Sequence, residues 1–164
     1  MTGICGVAVL VVLITAAHFP PVSADFSKAG QLLAMQRFYD ALGGPSWNPN
    51  CAIGWDRRGT EYCGLAGVGC LVNSSNGGFD IITSLYFFGC NLAGTLPVEL
   101  LDLRGLLIFD IIANLKVTGS IPAGYGTAWP QLTRLAIGST AMHGSLQTET
   151  GYLRQLEILI LNGT

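Results

Sequence analysis

The chain has 164 residues, room for one domain, and its formal charge of −2 offers no electrostatic footing for nucleic acid or an anionic membrane surface. Half of it is apolar and 11% is charged. The basic residues are scattered, and the one adjacent pair, Arg57 and Arg58, reads as a solvated loop.

The first 24 residues hold no charged side chain. An apolar run from Ile4 to Ala17 leads through HFPPVS to Ala24, which is the layout of a signal peptide. The run falls short of the roughly 20 residues that span a bilayer, and Val22-Ser23-Ala24 fits cleavage before Asp25. An uncleaved signal anchor is the alternative. No basic residue precedes the run, and no second apolar run of spanning length follows it. Membrane attachment is therefore expected only through a signal anchor or a C-terminal anchor missing from this sequence.

Of the five cysteines, Cys5 leaves with the signal and Cys51, Cys63, Cys70 and Cys90 remain. An even count in an oxidising compartment favours disulfides, and four cysteines allow three full pairings. Sequons at Asn73 and Asn162 suit a secreted, glycosylated surface.

Residues 27 to 43 read as an amphipathic helix with Leu32, Met35, Phe38 or Tyr39, and Leu42 on one face. Ser27 is placed to cap its start and Gly43 to end it. The Met and aromatic stripe is packing surface, with no ligand assigned to it. The stretch GGPSWNPN is turn material, and Trp47 and Trp55 flank Cys51 in a loop-rich segment ordered by aromatic packing and disulfides.

From Ile82 onward the chain repeats. The frame L-x-x-L-x-L-x-x-N-x-L-x-G-x-I-P-x-x-L-x-x-L-x-x takes Ile82, Leu85, Phe87, Cys90, Leu92, Gly94, Leu96, Pro97, Leu100 and Leu103. A second unit takes Leu106, Phe109, Ile111 and Asn114, needs an inserted residue before Val117, Gly119, Ile121 and Pro122, and places Trp129 after another insertion. The third takes Leu132, Leu135, Ile137, Thr140, Met142, Gly144, Leu146 and Leu153, with Gln147 for Pro and Thr150 for Leu. A fourth begins with Leu156, Leu159 and Leu161, and the sequence stops inside it, leaving an open strand edge expected to self-associate. In each unit the L-x-L segment predicts a short strand with two aliphatics turned into a stacked core. The Asn position bonds the adjacent turn, and the glycine permits it. Cys90 and Thr140 stand where Asn is usual.

Such units with G-x-I-P resemble the plant-type leucine-rich repeat over residues 82–164, and CGLAGVGC at residues 63–70 resembles that family's N-terminal cap signature, with Leu65 in place of Trp. The resemblance implies an α/β solenoid: a right-handed coil of short parallel strands behind an N-terminal helical, disulfide-containing cap. Its divisions are a signal peptide at residues 1–24, a cap at 25–81 and repeats at 82–105, 106–131, 132–155 and 156–164. It also implies a bond between Cys63 and Cys70, while the pairing of Cys51 with Cys90 stays open. Two branches are relevant: ectodomains of plant receptor kinases and secreted inhibitors of cell-wall-degrading enzymes, and the leucine-rich surface antigens of kinetoplastid parasites. GST at residues 138–140 and NGT at residues 162–164 resemble the Thr-containing turn of the second branch.

No chemistry is expected. Once the signal is removed His143 is the only histidine, in a turn without an acidic partner, which leaves a Ser-His-Asp or Cys-His arrangement without its base. The cysteines lack zinc spacing, the glycines belong to turns, and Asp40, Asp56, Glu61 and Asp102 are scattered. Neither a metal nor a cofactor is predicted.

What remains is a face. The strand residues between the inward aliphatics line the concave side, where repeat proteins meet their partners. They are Ser84, Tyr86 and Phe88; Ile108, Asp110 and Ile112; Arg134, Ala136 and Gly138; Ile158, Ile160 and Asn162. Tyr86, Phe88, Ile108, Asp110, Ile112 and Arg134 form the candidate binding patch, because contiguous exposed apolar surface with aromatic anchors marks contact sites. The expected function is a secreted or cell-surface module that binds protein or glycan without catalysis. The alternative is the sensing half of a receptor kinase whose catalytic part lies outside this chain.

Overall fold

A computed structural model describes residues 27–56, 61–72 and 80–163. The expected signal peptide, the Arg57–Arg58 pair and the sequon asparagine Asn73 lie outside these residues.

Helix α1 spans Lys28–Ala41, and the Ser27 hydroxyl accepts from the Gly30 N–H at 3.3 Å, the capping bond expected from the sequence. Gly43, just past its end, is left-handed at φ 69°. Its inner face differs from the expected one at three residues. Gln31 and Ala34 are buried with Met35, Phe38 and Leu42, whereas Leu32 is only half-buried. Gln31 is tolerated there because every polar atom of its amide is used. Its Nε2 donates to the Tyr62 hydroxyl and the Asp80 carbonyl, and its Oε1 accepts from the Ile82 N–H at 2.7 Å.

The strands are β1 (Val68–Leu71), β2 (Ile81–Phe88), β3 (Ala93–Thr95), β4 (Ile108–Gly119), β5 (Arg134–Met142) and β6 (Ile158–Gly163). They lie in the order β1, β2, β4, β5, β6, with β3 paired to the far part of β4. Strand β1 is antiparallel to β2, and all later pairs are parallel. The register matches the frame read from the sequence. Leu85, Phe109, Leu135 and Leu159 are direct cross-strand partners, as are Phe87, Ile111, Ile137 and Leu161. Each unit thus adds one strand and one layer of core. The β4–β5 pairing breaks register between Asn114 and Thr118, in the stretch where the second unit needed an inserted residue.

Behind the sheet the chain returns through single helical turns at Val98–Asp102 and Thr148–Tyr152 and through the short helix α2 (Tyr125–Ala128). These returns seat Leu100, Leu103, Tyr125, Trp129 and Leu153 in the core. Trp129 is fully buried and donates its indole N–H to the Leu100 carbonyl at 3.1 Å, so its burial leaves that donor satisfied. Leu146 and Leu161, framed as inward residues, are 50% and 38% exposed. Both stand on the side of the last described coil against which no further described layer packs.

The repeat glycines Gly94, Gly119 and Gly144 all have positive φ. At Gly94 a side chain would also run into the Ala41 carbonyl, where the first coil meets the end of α1. A second recurrence escaped the frame. The residue before each Asn position is left-handed in all three complete coils: Gly89 at φ 61°, Ala113 at 57° and Ser139 at 49°. Only small residues occupy it.

At the N-terminal end the loops are fixed by rings and disulfides. Phe38, Tyr39, Trp47, Trp55 and Phe87 form one aromatic cluster, with Tyr39 stacked on Trp55 at 5.7 Å and Phe38 against Phe87 at 5.0 Å. Cys63 is bonded to Cys70, as the resemblance implied. Cys51 is bonded to Cys90, which resolves the open pairing. This second bond joins the Trp-rich loop to the first repeat, and Cys90 occupies its Asn position without being a free thiol.

Candidate binding face

A parallel sheet whose odd residues enter the core sends the intervening ones to the opposite side. Three rows result. Ser84, Ile108, Arg134 and Ile158 form the first, Tyr86, Asp110, Ala136 and Ile160 the second, and Phe88, Ile112, Gly138 and Asn162 the third. All six residues of the expected patch lie on this face, brought together by three adjacent strands.

Their exposures differ sharply. Tyr86 and Phe88 are 55% and 60% exposed, side by side on β2, while Ile108, Ile112 and Arg134 are half-buried. Asp110, expected to face solvent, is only 2% exposed. The reason is Arg134, whose side chain crosses from the first row to the second. Its Nε donates to both Asp110 carboxylate oxygens, at 2.7 and 3.0 Å. An opposite-charge diagonal on neighbouring strands was visible in the frame, since Asp110 and Arg134 occupy adjacent outward positions of successive units.

The third row ends differently. Gly138 is buried because the Asn162 side chain lies over it, and the Asn162 Oδ1 is buried without a hydrogen-bond partner among the described residues. This sequon asparagine is thus on a strand, half-buried against its neighbour. A cleft of about 250 Å³ beside it is lined by Ile137, Met142, Leu146, Gln147 and Leu161. Tyr125, Thr140, His143 and two serines, Ser120 and Ser145, also line it.

His143 is exposed, and its backbone N–H donates to the Gly119 carbonyl at 2.8 Å. Among the described residues no group of His, Cys, Asp and Glu is placed to hold a metal ion, and no helix is long and apolar enough to cross a membrane. Tyr62, beneath α1, has its pKa raised, first by burial and then by the nearby Asp80 charge. Its hydroxyl donates to the Asp80 carbonyl at 2.6 Å.

In-register parallel strands, one per unit, with the aliphatic columns between strands and returns, define a leucine-rich repeat fold. It is of the plant type, and solved structures agree. The ectodomain of the receptor kinase SOBIR1 from Arabidopsis thaliana superposes at a TM-score of 0.65 with 24% identity, over 82% of this chain and 67% of that one. A chain of the BIR3–SERK2 complex from the same plant matches at 0.64 with 28% identity, over 81% of this chain and 69% of its own. A plant ice-binding protein also matches, at 0.65 and 22% identity, over 84% of this chain but 42% of its own. No protein-family model and no curated protein matches the sequence.

Proposed function

We propose that the chain is an extracellular, non-catalytic recognition module: a right-handed solenoid closed at its N-terminal end by the α1 and disulfide region, binding a partner on the concave outer face of its strands. In this reading residues 1–24 are a signal peptide, residues 25–81 the cap and residues 82–164 the repeats. The observation that carries it is the pair Tyr86 and Phe88, two large rings more than half exposed on one strand, with Ile112 in register beside Phe88. Rings held on a rigid strand cost little entropy to immobilise and make good anchors. Two disulfides and the receptor-kinase ectodomains among the structural neighbours support an extracellular setting. That one neighbour was solved within a two-protein complex supports a protein partner.

The same ectodomain neighbours favour a second reading, in which this chain is the sensing portion of a membrane receptor whose catalytic portion is encoded elsewhere in the gene. Both readings place binding on the same face. The test is a screen of the purified chain against a random-peptide library and a glycan array, alongside Phe88→Asp. Binders lost in Phe88→Asp support the reading, and binders retained there, or none at all, overturn it. Mass spectrometry of the chain secreted from eukaryotic cells tests the leader: an N-terminus at Asp25 supports it, and an intact Met1 overturns it.

A further inference from the structure

Of the twelve residues in the three outward rows, only Asp110 and Arg134 carry charge, and they carry it in opposite signs. The pair is not a surface accident. Asp110 is buried, and both of its oxygens receive the single Nε–H of Arg134. This leaves the two terminal guanidinium nitrogens without a hydrogen-bond partner among the described residues, on a side chain that is still 30% exposed. Ile108 and Ile158 are Arg134's cross-strand partners, and Tyr86 and Phe88 stand on β2.

This inference rests on the binding-module reading. We propose that Asp110 is the specificity-determining residue of this face: it cancels the charge of Arg134 while keeping its N–H donors available, so that the face accepts an uncharged, apolar peptide segment and rejects acidic ones. A carboxylate approaching the free edge of Arg134 meets a cation already neutralised from behind. It surrenders its hydration without regaining it in attraction. A main-chain carbonyl has far less hydration to lose and accepts the same N–H groups. The surrounding isoleucines and rings favour a peptide over a glycan, whose many hydroxyls would be stripped of water against aliphatic surface that offers one donor group. Selectivity here comes from a built-in repulsion as much as from contact.

The probes are peptides enriched from a random library on the purified chain, each then resynthesised with a central Glu in place of one apolar residue. Wild-type protein is expected to enrich peptides without acidic residues, and their affinity should change less than about twofold between about 50 and about 500 mM salt. Asp110→Asn, which keeps an acceptor for the Arg134 Nε–H but uncovers its charge, should bind the Glu peptides about tenfold more tightly at low salt and lose that gain at high salt. If Asp110→Asn does not fold, Asp110→Ser provides the same readout. Enrichment of acidic peptides by wild type, or an Asp110 variant with unchanged preference, overturns the proposal while leaving the binding face intact. Binding confined to glycans overturns the peptide as occupant. Peptides that bind Phe88→Asp as well as wild type, or no enrichment at all, sink the binding-face reading and this proposal together.

Discussion

The N-terminal region and the repeats solve one problem in different ways. The described residues of the range 27–72 have little regular structure beyond α1, two single helical turns and the short β1, and hold their loops with interlocked rings, two tethered cysteine pairs and tryptophan N–H groups that reach backbone carbonyls. The repeats use fewer such devices, chiefly Trp129, whose ring packs on Phe109 and Tyr125 and whose N–H reaches the Leu100 carbonyl. They stack aliphatic columns in register and add one buried amide, Asn114, whose Oδ1 accepts from the Cys90 and Leu92 N–H groups and whose Nδ2 donates to the Phe87 and Ile112 carbonyls. A periodic structure satisfies its backbone through its neighbours, whereas an irregular one must find a separate partner for each group.

Substitutions at five places probe that contrast, the aromatic cluster and the longer disulfide having the largest expected effects. Phe38→Ala removes the ring that touches Trp47, Trp55 and Phe87 at once, and should lower unfolding free energy by about 4 kcal/mol in a denaturant titration. A loss below about 1 kcal/mol would mean the aromatic cluster does not organise the N-terminal region. Replacing Cys51 and Cys90 together by Ala should cost nearly as much, about 4 kcal/mol, because the bond closes a loop with a sequence separation of 39 residues. The same change at Cys63 and Cys70, a separation of 7, should cost only about 2 kcal/mol. Equal losses would show that the longer tether adds nothing to the junction with the repeats. Asn114→Ala strands the Cys90 and Leu92 N–H groups and takes a donor from the Phe87 and Ile112 carbonyls, the latter still bonded by the Gly89 N–H, with an expected loss of about 3 kcal/mol read from thermal melts. Ala113→Gly should gain up to about 1 kcal/mol by relieving a left-handed residue, while Ala113→Val should lose about 2 kcal/mol.

Tyr62 gives a pH test of the junction. Its raised pKa means the folded state holds the phenolic proton after the unfolded chain has released it. Stability is therefore complete below pH 10, the ordinary tyrosine value, and falls as pH rises beyond it. Melting temperature followed from neutral to alkaline pH should show that fall, and Tyr62→Phe should flatten it. A Tyr62→Phe profile that tracks wild type would assign the alkaline loss to other groups.

How much of this was legible depended on periodicity. The strands and their register followed from Leu85, Phe109 and Leu135 recurring about every two dozen residues, because a periodic core leaves a periodic signal. The Trp-rich loop left none, and there the sequence supplied only its ring and cysteine content. The left-handed position before each Asn was hidden for another reason. Gly, Ala and Ser share size there and no other property, so a frame written in aliphatics passes over it. Within the outward rows the positions were readable but the exposures were not. Whether Asp110 faces water depends on where a flexible arginine on the next strand lies, which spacing alone does not encode.

Asn114 has a counterpart that changes how the array comes apart. At the next unit the position holds Thr140, whose hydroxyl makes only a 3.4 Å contact, to the N–H of Met142 in its own coil. The first and second coils are therefore clasped together by an amide and the second and third are not. Amide hydrogens should exchange soonest in β6, next in β5, and last in β2 and the first part of β4, so that the stack peels in order from one end.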